Sequence, residues 1–228
     1  MEMKELLAKI GQMMVFPEPE LTRENTALML IDMQKLAGPE FILWEAEEAG
    51  VDRAEAEKAV AEFGARMKEA TLNAARVLKA AREKDLLIAH TRIECRTKDG
   101  RDVGRIHKRL NFVVPPGSEW AEWMPEVAPI EGEVVLTKTC SSFFTGTSID
   151  TVLRNADIEN LIIVGFYTEQ CVTTAARDAA DTFYYTIVVS DAVQAQTQEK
   201  HETALDHICG LYVNCMATDE IVDLIEKL

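Results

Sequence analysis

The sequence contains neither GxGxxG nor GxxxxGK[ST], so nucleotide binding has no support from a phosphate-cradling loop. It also lacks a CxxC pair. Five cysteines, at positions 95, 140, 171, 209 and 215, give an odd count with no zinc-ribbon spacing and no secreted disulfide framework. A reducing cytoplasm is the compartment that this usage fits. Positive charge is scarce: 24 Lys plus Arg stand against 39 Asp plus Glu, for a formal charge of -15. Such a surface repels nucleic acid and anionic membranes, which excludes both as partners. The opening stretch, MEMKELLAKIGQMMVF, is amphipathic and carries acids, with no continuous apolar run of a signal peptide or membrane span. No linker-like composition divides the 228 residues. The expectation is therefore one domain over 1–228, its first 20 residues a helical extension.

What is present alternates between two periods. Apolar runs at Thr26–Asp32, Leu86–Thr91, Val134–Thr137, Leu161–Val164, Tyr184–Asp191 and a short Cys215–Ala217 read as strands buried on both faces. Between them lie helical patterns: 3–15, ended by Pro17 and Pro19; 54–84, with a break near Gly64; a segment capped near Thr147 or Ser148; 198–211; and 219–227 with Thr218 as N-cap. Strands alternating with helices imply right-handed crossovers and a parallel sheet covered on both faces. Two stretches stand apart. One, Gly38-Pro39 followed by Phe41 and Trp44 among glutamates, reads as a surface loop or pocket wall. The other, 95–130, carries a basic patch (Arg101, Arg105, Lys108, Arg109), Trp120, Trp123, Pro115, Pro116 and Pro125. Loops of that length inside compact domains serve a site or cover a partner. His90, at the end of the second strand, reads as a satisfied structural residue.

In parallel sheets ligands bind beyond the carboxyl ends of the strands, near the switch in strand order. Three strands deliver ionisable groups to that edge: Asp32, Lys138 and Cys171. They combine a proton acceptor, a cation and a sulfur nucleophile. Cys171 follows a four-residue turn and opens the helix on which Val172, Ala175, Ala176, Ala179 and Ala180 form one face. Unpaired N–H groups and the helix dipole favour thiolate there, although a buried, inert cysteine fits the same corner.

The blocks TALMLIDMQ around Asp32, VVLTKTCSSFFTGTSID around Lys138 and IIVGFYTEQCVTTAARDA around Cys171 resemble the isochorismatase-like cysteine hydrolases. That family includes nicotinamidases, N-carbamoylsarcosine amidases, and biuret and ureidoacrylate hydrolases. The likeness runs over roughly 24–225. It implies a three-layer α/β/α, Rossmann-like fold with a six-stranded parallel sheet. It implies an Asp32, Lys138, Cys171 triad and a cis peptide between Phe166 and Tyr167. It also implies an oxyanion hole formed by the backbone N–H groups of Tyr167 and Cys171. Its metal-binding members carry an Asp-x-His pair that this sequence lacks, having Asp52-Arg53-Ala54 and no histidine between Asp32 and His90. No metal or other cofactor is expected. Glu169 stands where the family has Asp, and Tyr167 where it has a small residue. True isochorismatases look to have lost the cysteine, so its presence implies hydrolysis of a C–N bond in a small amide, ureido or carbamoyl compound.

Gln34, Phe41, Trp44, Phe143, Tyr167 and Gln194 are candidates to contact such a small, planar substrate. A homodimer or homotetramer is the expected assembly. The competing expectation is a non-catalytic binding or redox-sensing protein on the same fold, with Cys171 as reactive thiol and Cys140 as its resolving partner.

Overall fold

The computed structural model describes residues 1–11 and 20–228. Six strands, β1 (Thr26–Ile31), β2 (Leu87–Ile93), β3 (Val134–Lys138), β4 (Asn160–Phe166), β5 (Tyr185–Gln194) and β6 (Asn214–Met216), form one all-parallel sheet in the order β3-β2-β1-β4-β5-β6. Strand order reverses between β1 and β4, and a crevice opens at such a point because successive crossovers leave in opposite directions. The central strands are buried throughout: every residue of β1 and β4 is buried, so apolar side chains fill both faces.

The helices are α1 (Met3–Gly11), α2 (Pro39–Glu48), α3 (Arg53–Glu83), α4 (Arg105–Arg109), α5 (Phe143–Gly146), α6 (Ile149–Asn155), α7 (Thr173–Asp181), α8 (Gln198–Asp206) and α9 (Thr218–Ile225). α2, α3 and α9 pack as one group and α5, α6 and α7 as another, giving the expected three-layer α/β/α arrangement. Helix α3 buries Phe63, Met67, Ala74, Val77 and Leu78 along one stripe and turns its charged residues outward.

Several elements differ from the sequence reading. The remainder of the helix expected to reach residue 15, with Met14 and the Pro17–Pro19 stop, lies outside the described residues. Helix α3 passes Gly64 without a break, since the missing side chain there only brings the helix against Pro39. The stretch read as a surface loop is α2: Pro39 occupies its first turn, Phe41 and Leu43 point inward, and only the Trp44 side of the aromatic pair meets solvent. Helix α8 ends at Asp206, five residues early, because the chain turns back and a Cys209–Cys215 disulfide joins it to β6 across a Cα separation of 5.6 Å. The cysteine count had paired none. Helix α9 takes Ala217 as its cap residue. Thr218, within the helix, donates its N–H and hydroxyl to Asp191 Oδ1 at 2.8 and 2.7 Å, and Glu220 accepts from the Ala217 N–H at 2.8 Å. His90 is structural: Nε2 lies 2.9 Å from Glu133 Oε2, and Arg82 clamps the same carboxylate at 2.7 and 3.0 Å. Burial lowers the His90 pKa, so the ring is neutral and donates.

One glycine fixes the centre of the sheet. Gly165 has φ +122, and a Cβ there would stand 2.1 Å from the Ile31 carbonyl oxygen and 2.7 Å from its nitrogen. Only glycine lets β4 approach β1 so closely just before the two strands deliver Tyr167 and Asp32. Gly165→Ala should therefore destabilise the fold by roughly 3 kcal/mol or more. Denaturant unfolding checks this: a loss under about 1 kcal/mol would show that the strands can part without cost.

Candidate active site

At the switch point the ends of β1, β3 and β4 converge. Asp32, one residue past β1, adopts φ +51, a conformation that short polar side chains tolerate better than others. Its N–H donates to the Thr91 carbonyl at 2.8 Å, and its own carbonyl accepts from Gln34 N–H at 2.9 Å, so the carboxylate is turned inward instead of along the strand. Lys138 is the last residue of β3, in register with Ile93 of β2. After β4, the Phe166–Tyr167 peptide is cis, and residues Thr168–Val172 make a wide π-turn before α7 begins.

These three placements form one buried cluster. Lys138 Nζ donates to Asp32 Oδ2 at 2.6 Å, to the Cys140 carbonyl at 3.0 Å and to Cys171 Sγ at 3.4 Å. An ammonium has three protons, so the lysine is fully committed. Thr91 Oγ1 donates to Asp32 Oδ1 at 3.3 Å. Lys138 and Asp32 are 1% and 3% exposed, and Cys171 is also 3% exposed.

Burial decides the electrostatics. It pushes the Cys171 thiol well above the usual range; Lys138 opposes this, and the Asp32 carboxylate adds to it. Burial also raises Asp32 against the pull of Lys138. Burial works against the charge of Lys138 too, yet Asp32 and Cys171 together hold its pKa above normal. The 2.6 Å contact favours an ammonium–carboxylate pair of Lys138 and Asp32, and burial favours keeping the proton on sulfur. This reverses the expectation that the helix start favours thiolate, because the π-turn carries Cys171 inside, where desolvation outweighs the dipole. Burial raises the Cys140 thiol as well, and its Sγ–H points to the Ser142 carbonyl at 3.3 Å.

Beside the sulfur lies a narrow, partly open cavity. The space that a water-sized sphere's centre can reach is only about 10 Å³, room for roughly one water. Asp32, Gln34, Leu36, Ala37, Ile93, Phe112, Phe166, Tyr167, Gln170 and Cys171 line it, and the surface they expose to it is apolar. Among the described residues the Tyr167 N–H has no acceptor, while its hydroxyl is turned away to the Ala37 carbonyl at 2.9 Å. Gln34 is a structural clamp. Its Nε2 donates to the carbonyls of Ile93 and Trp120 at 3.0 and 2.8 Å, and its Oε1 accepts from Ile93 N–H at 2.6 Å.

The other predicted contacts lie elsewhere. Phe41 and Trp44 belong to an aromatic cluster with Trp120, and Phe41 stands behind Phe112 at 5.9 Å between centroids. Phe143 is fully buried against Phe144. Gln194 caps its own chain at Ala195 N–H, 2.8 Å away, and borders a different cleft. Glu169 faces an outer cleft of about 590 Å³ with Arg177 and Lys200, the lysine 3.9 Å off. Sequence reasoning missed Thr91, Ile93, Phe112 and Gln170. Phe112 sits in the long segment singled out as functional, and Gln170 adjoins the cysteine, but nothing in residue type separates them from their neighbours. Among the described residues no three His, Cys, Asp or Glu side chains gather as a metal-holding group.

Comparison with known proteins bears on the family and the fold. A family model described as "Isochorismatase domain" matches residues 26–220. Maleamate amidohydrolase of Pseudomonas putida is 28% identical over 157 residues, 68% of this chain and 74% of that protein. N-carbamoylsarcosine amidase of an Arthrobacter species is 26% identical over 161 residues, 68% of this chain and 61% of that protein. The chain spans 58% of the length of the Bacillus subtilis isochorismatase family protein YwoC, at 29% identity over 109 residues. Among solved structures, a cysteine hydrolase from Pseudomonas syringae pv. phaseolicola 1448A superposes with a TM-score of 0.76 at 23% identity, over 94% of this chain and 99% of the other. N-carbamoylsarcosine amidase from Thermoplasma acidophilum gives 0.63 at 24% identity, over 86% and 97%. At these identities the structural likeness bears on the fold.

The charge balance yields two opposed outcomes for alkylation by iodoacetamide. Lys138→Ala removes the cation that lowers the thiol pKa, so Cys171 should react more slowly at neutral pH. The buried carboxylate left behind should cost about 3 kcal/mol or more of stability. Asp32→Asn removes the charge that raises the thiol pKa, so labelling should be as fast as wild type or faster. Site-resolved mass spectrometry across pH reads both; equal rates in the two variants would mean that neither charge governs the sulfur.

Proposed function

This chain belongs to the isochorismatase family of hydrolases, and within that family we propose that it cleaves a C–N bond of a small amide, ureido or carbamoyl compound through a covalent acyl-enzyme on Cys171. The observation that carries the reading is the bridge that Lys138 Nζ makes between Asp32 Oδ2 at 2.6 Å and Cys171 Sγ at 3.4 Å. It joins a base, a cation and a nucleophile where substrate would lie, and relatives named for amide hydrolysis support the same reaction class.

The steps follow from the protonation state. Asp32 takes the thiol proton as sulfur attacks the carbonyl carbon, so thiolate exists only as it is consumed. Lys138 holds the negative charge that Asp32 gives up and the sulfur acquires. The oxyanion is received by the N–H groups of Tyr167 and Cys171, each such donor contributing about 3 kcal/mol to barrier lowering. Protonated Asp32 then gives its proton to the leaving nitrogen as the C–N bond breaks, leaving a thioester. Water, deprotonated by the same carboxylate, attacks the thioester; the acid leaves and the thiol is restored. No metal or other cofactor enters the scheme.

Redox sensing by Cys171 with Cys140 has less support. Burial keeps both thiols protonated, whereas a peroxide sensor needs an accessible thiolate. We further propose a homodimer or homotetramer; the Cys209–Cys215 disulfide removes the support that the cysteine usage lent to a reducing cytoplasm. Ile106, Val113 and Ile130 of the long segment lie on the surface, 48, 38 and 55% exposed, and would suit an interface. Among the described residues no helix is long and apolar enough to cross a membrane.

Ammonia release from a panel of small amides, ureas and carbamoyl amino acids tests the function. Wild type should turn over at least one of them, and Cys171→Ala should lose at least about a thousandfold in kcat. Turnover retained in that variant would remove sulfur from the chemistry. Asp32→Asn should lose turnover to a similar degree even where its cysteine still alkylates.

A further inference from the structure

The turn that carries Cys171 is held from a side that the chemistry does not use. Thr168 opens the π-turn Thr168–Val172 directly after the cis peptide's Tyr167, and it is fully buried. Its hydroxyl lies 3.0 Å from Nδ1 of His201, a buried residue of α8, the helix that packs against the turn. Among the described residues this is the one hydrogen bond of the Thr168 side chain. His201 borders an outer cleft of about 400 Å³ with Arg66, Ser190 and Gln194, and none of Asp32, Lys138 and Cys171 lines that cleft. Burial lowers the His201 pKa, with Arg66 adding to the fall and Glu202 opposing it, so the ring is neutral. A neutral imidazole nitrogen and a hydroxyl form the bond in either tautomer of the ring.

The sulfur three residues on depends on where this turn sits. Within the turn, the N–H groups of Gln170 and Val172 both donate to the Tyr167 carbonyl, at 3.0 and 3.2 Å. Those bonds set the shape of the turn and not its position against the sheet. Position comes from its ties to neighbours: the Tyr167 hydroxyl donates to the Ala37 carbonyl at 2.9 Å, and Thr168 meets His201. The contact between Lys200 and Glu169 is longer, at 3.9 Å, and Lys200 is largely in solvent, so it adds little. A misplacement of about 1 Å at a reacting group can cost on the order of a hundredfold in rate.

We propose that Thr168 and His201 are a positioning pair: their hydrogen bond anchors the first residue of the π-turn to α8 and so holds Cys171 Sγ inward against Lys138, neither residue touching substrate. The pair rests on the hydrolytic reading for its effect on turnover, but not for its effect on the burial of the thiol. Burial is the largest influence on that thiol. A loosened turn therefore frees the sulfur for alkylation while it spoils the alignment for attack. A bond that only added stability would do neither in the folded protein.

The test compares Thr168→Val, which keeps the shape and removes the hydroxyl, with Thr168→Ser, which keeps the hydroxyl. It also compares His201→Ala with His201→Asn, whose amide reaches the position of Nδ1. Two readouts are taken on the full-length protein, each corrected for the folded fraction by denaturant unfolding. One is the rate of Cys171 labelling by iodoacetamide, which needs no turnover. The other is kcat and KM for ammonia release from whichever panel compound wild type cleaves. Thr168→Val and His201→Ala should label about tenfold faster and lose about tenfold in kcat, with KM within about twofold of wild type. Thr168→Ser and His201→Asn should recover most of both. Thr168→Val combined with His201→Ala should move neither readout beyond the single variants, because the same bond is lost in each. Where Thr168→Val does not fold, His201→Asn against His201→Gln decides, since the longer amide matches Nε2 and not Nδ1; equal behaviour of these two overturns the proposal. Wild-type labelling and kcat in the folded single variants overturn it as well, as do additive losses in the double variant. A raised KM at unchanged kcat would place the pair in substrate binding and overturn it too. Faster labelling in a protein that cleaves no panel compound upholds the pair and overturns the hydrolytic reading.

Discussion

A lysine ammonium buried beside a carboxylate and a thiol is the constraint on which the rest of this structure depends. Removing such a cation from water costs several kcal/mol, and the cost is offset only when every proton finds an acceptor. Here each proton does: a carboxylate, a backbone carbonyl and a sulfur. To supply them the fold must bring together residues 106 and 33 positions apart from Asp32 and Cys171 to Lys138. A parallel sheet with its order reversed between β1 and β4 does this, because β1, β3 and β4 all end at the same edge. The left-handed turn at Asp32 and the missing side chain of Gly165 are the local backbone conditions for that convergence.

The same burial sets the chemical character of the site. An exposed cysteine at a helix start gains from the dipole and sits partly ionised. Cys171 is carried under Phe112 and Ile93 by the π-turn, where desolvation dominates and the thiol keeps its proton. Lys138 therefore serves less to create a resting thiolate than to stabilise whichever neighbour holds the negative charge. Before proton transfer that neighbour is Asp32, and afterwards it is the sulfur. A fixed cation within hydrogen-bond reach of both groups lowers reorganisation during the step. The near-complete burial of all three groups strengthens these interactions.

Much of this was legible in the sequence for a physical reason: strands buried on both faces are short, continuous apolar runs, and an ionisable residue at the end of such a run stands out. Hence all six strands, and the positions of Asp32, Lys138 and Cys171 at one edge, could be read from the chain. Boundaries could not, since β5 continues to Gln194 through residues whose polarity resembles a loop. The residues around the triad were less legible still. Gln34 and Gln194 have the chemistry of substrate contacts, but their amides satisfy backbone groups, a pairing that depends on tertiary geometry alone. Phe41, Trp44 and Phe143 are aromatic because they fill space, and the aromatic that does wall the cavity, Phe112, arrives from a segment without regular pattern. The Cys209–Cys215 bridge was missed because their approach follows from a reversal after α8 that no spacing rule encodes.

The central claim is that the resting proton lies on Cys171, with Lys138 and Asp32 ionised beside it. The most direct measurement is the ultraviolet thiolate absorbance of wild type minus Cys171→Ser, followed from about pH 6 to about pH 9, a range in which an ordinary cysteine ionises. The account predicts no thiolate signal from Cys171 across that range, and its appearance only above it. A full thiolate signal already present near pH 6 would contradict the account, placing the proton on the carboxylate and making the site a preformed ion pair of sulfur and lysine.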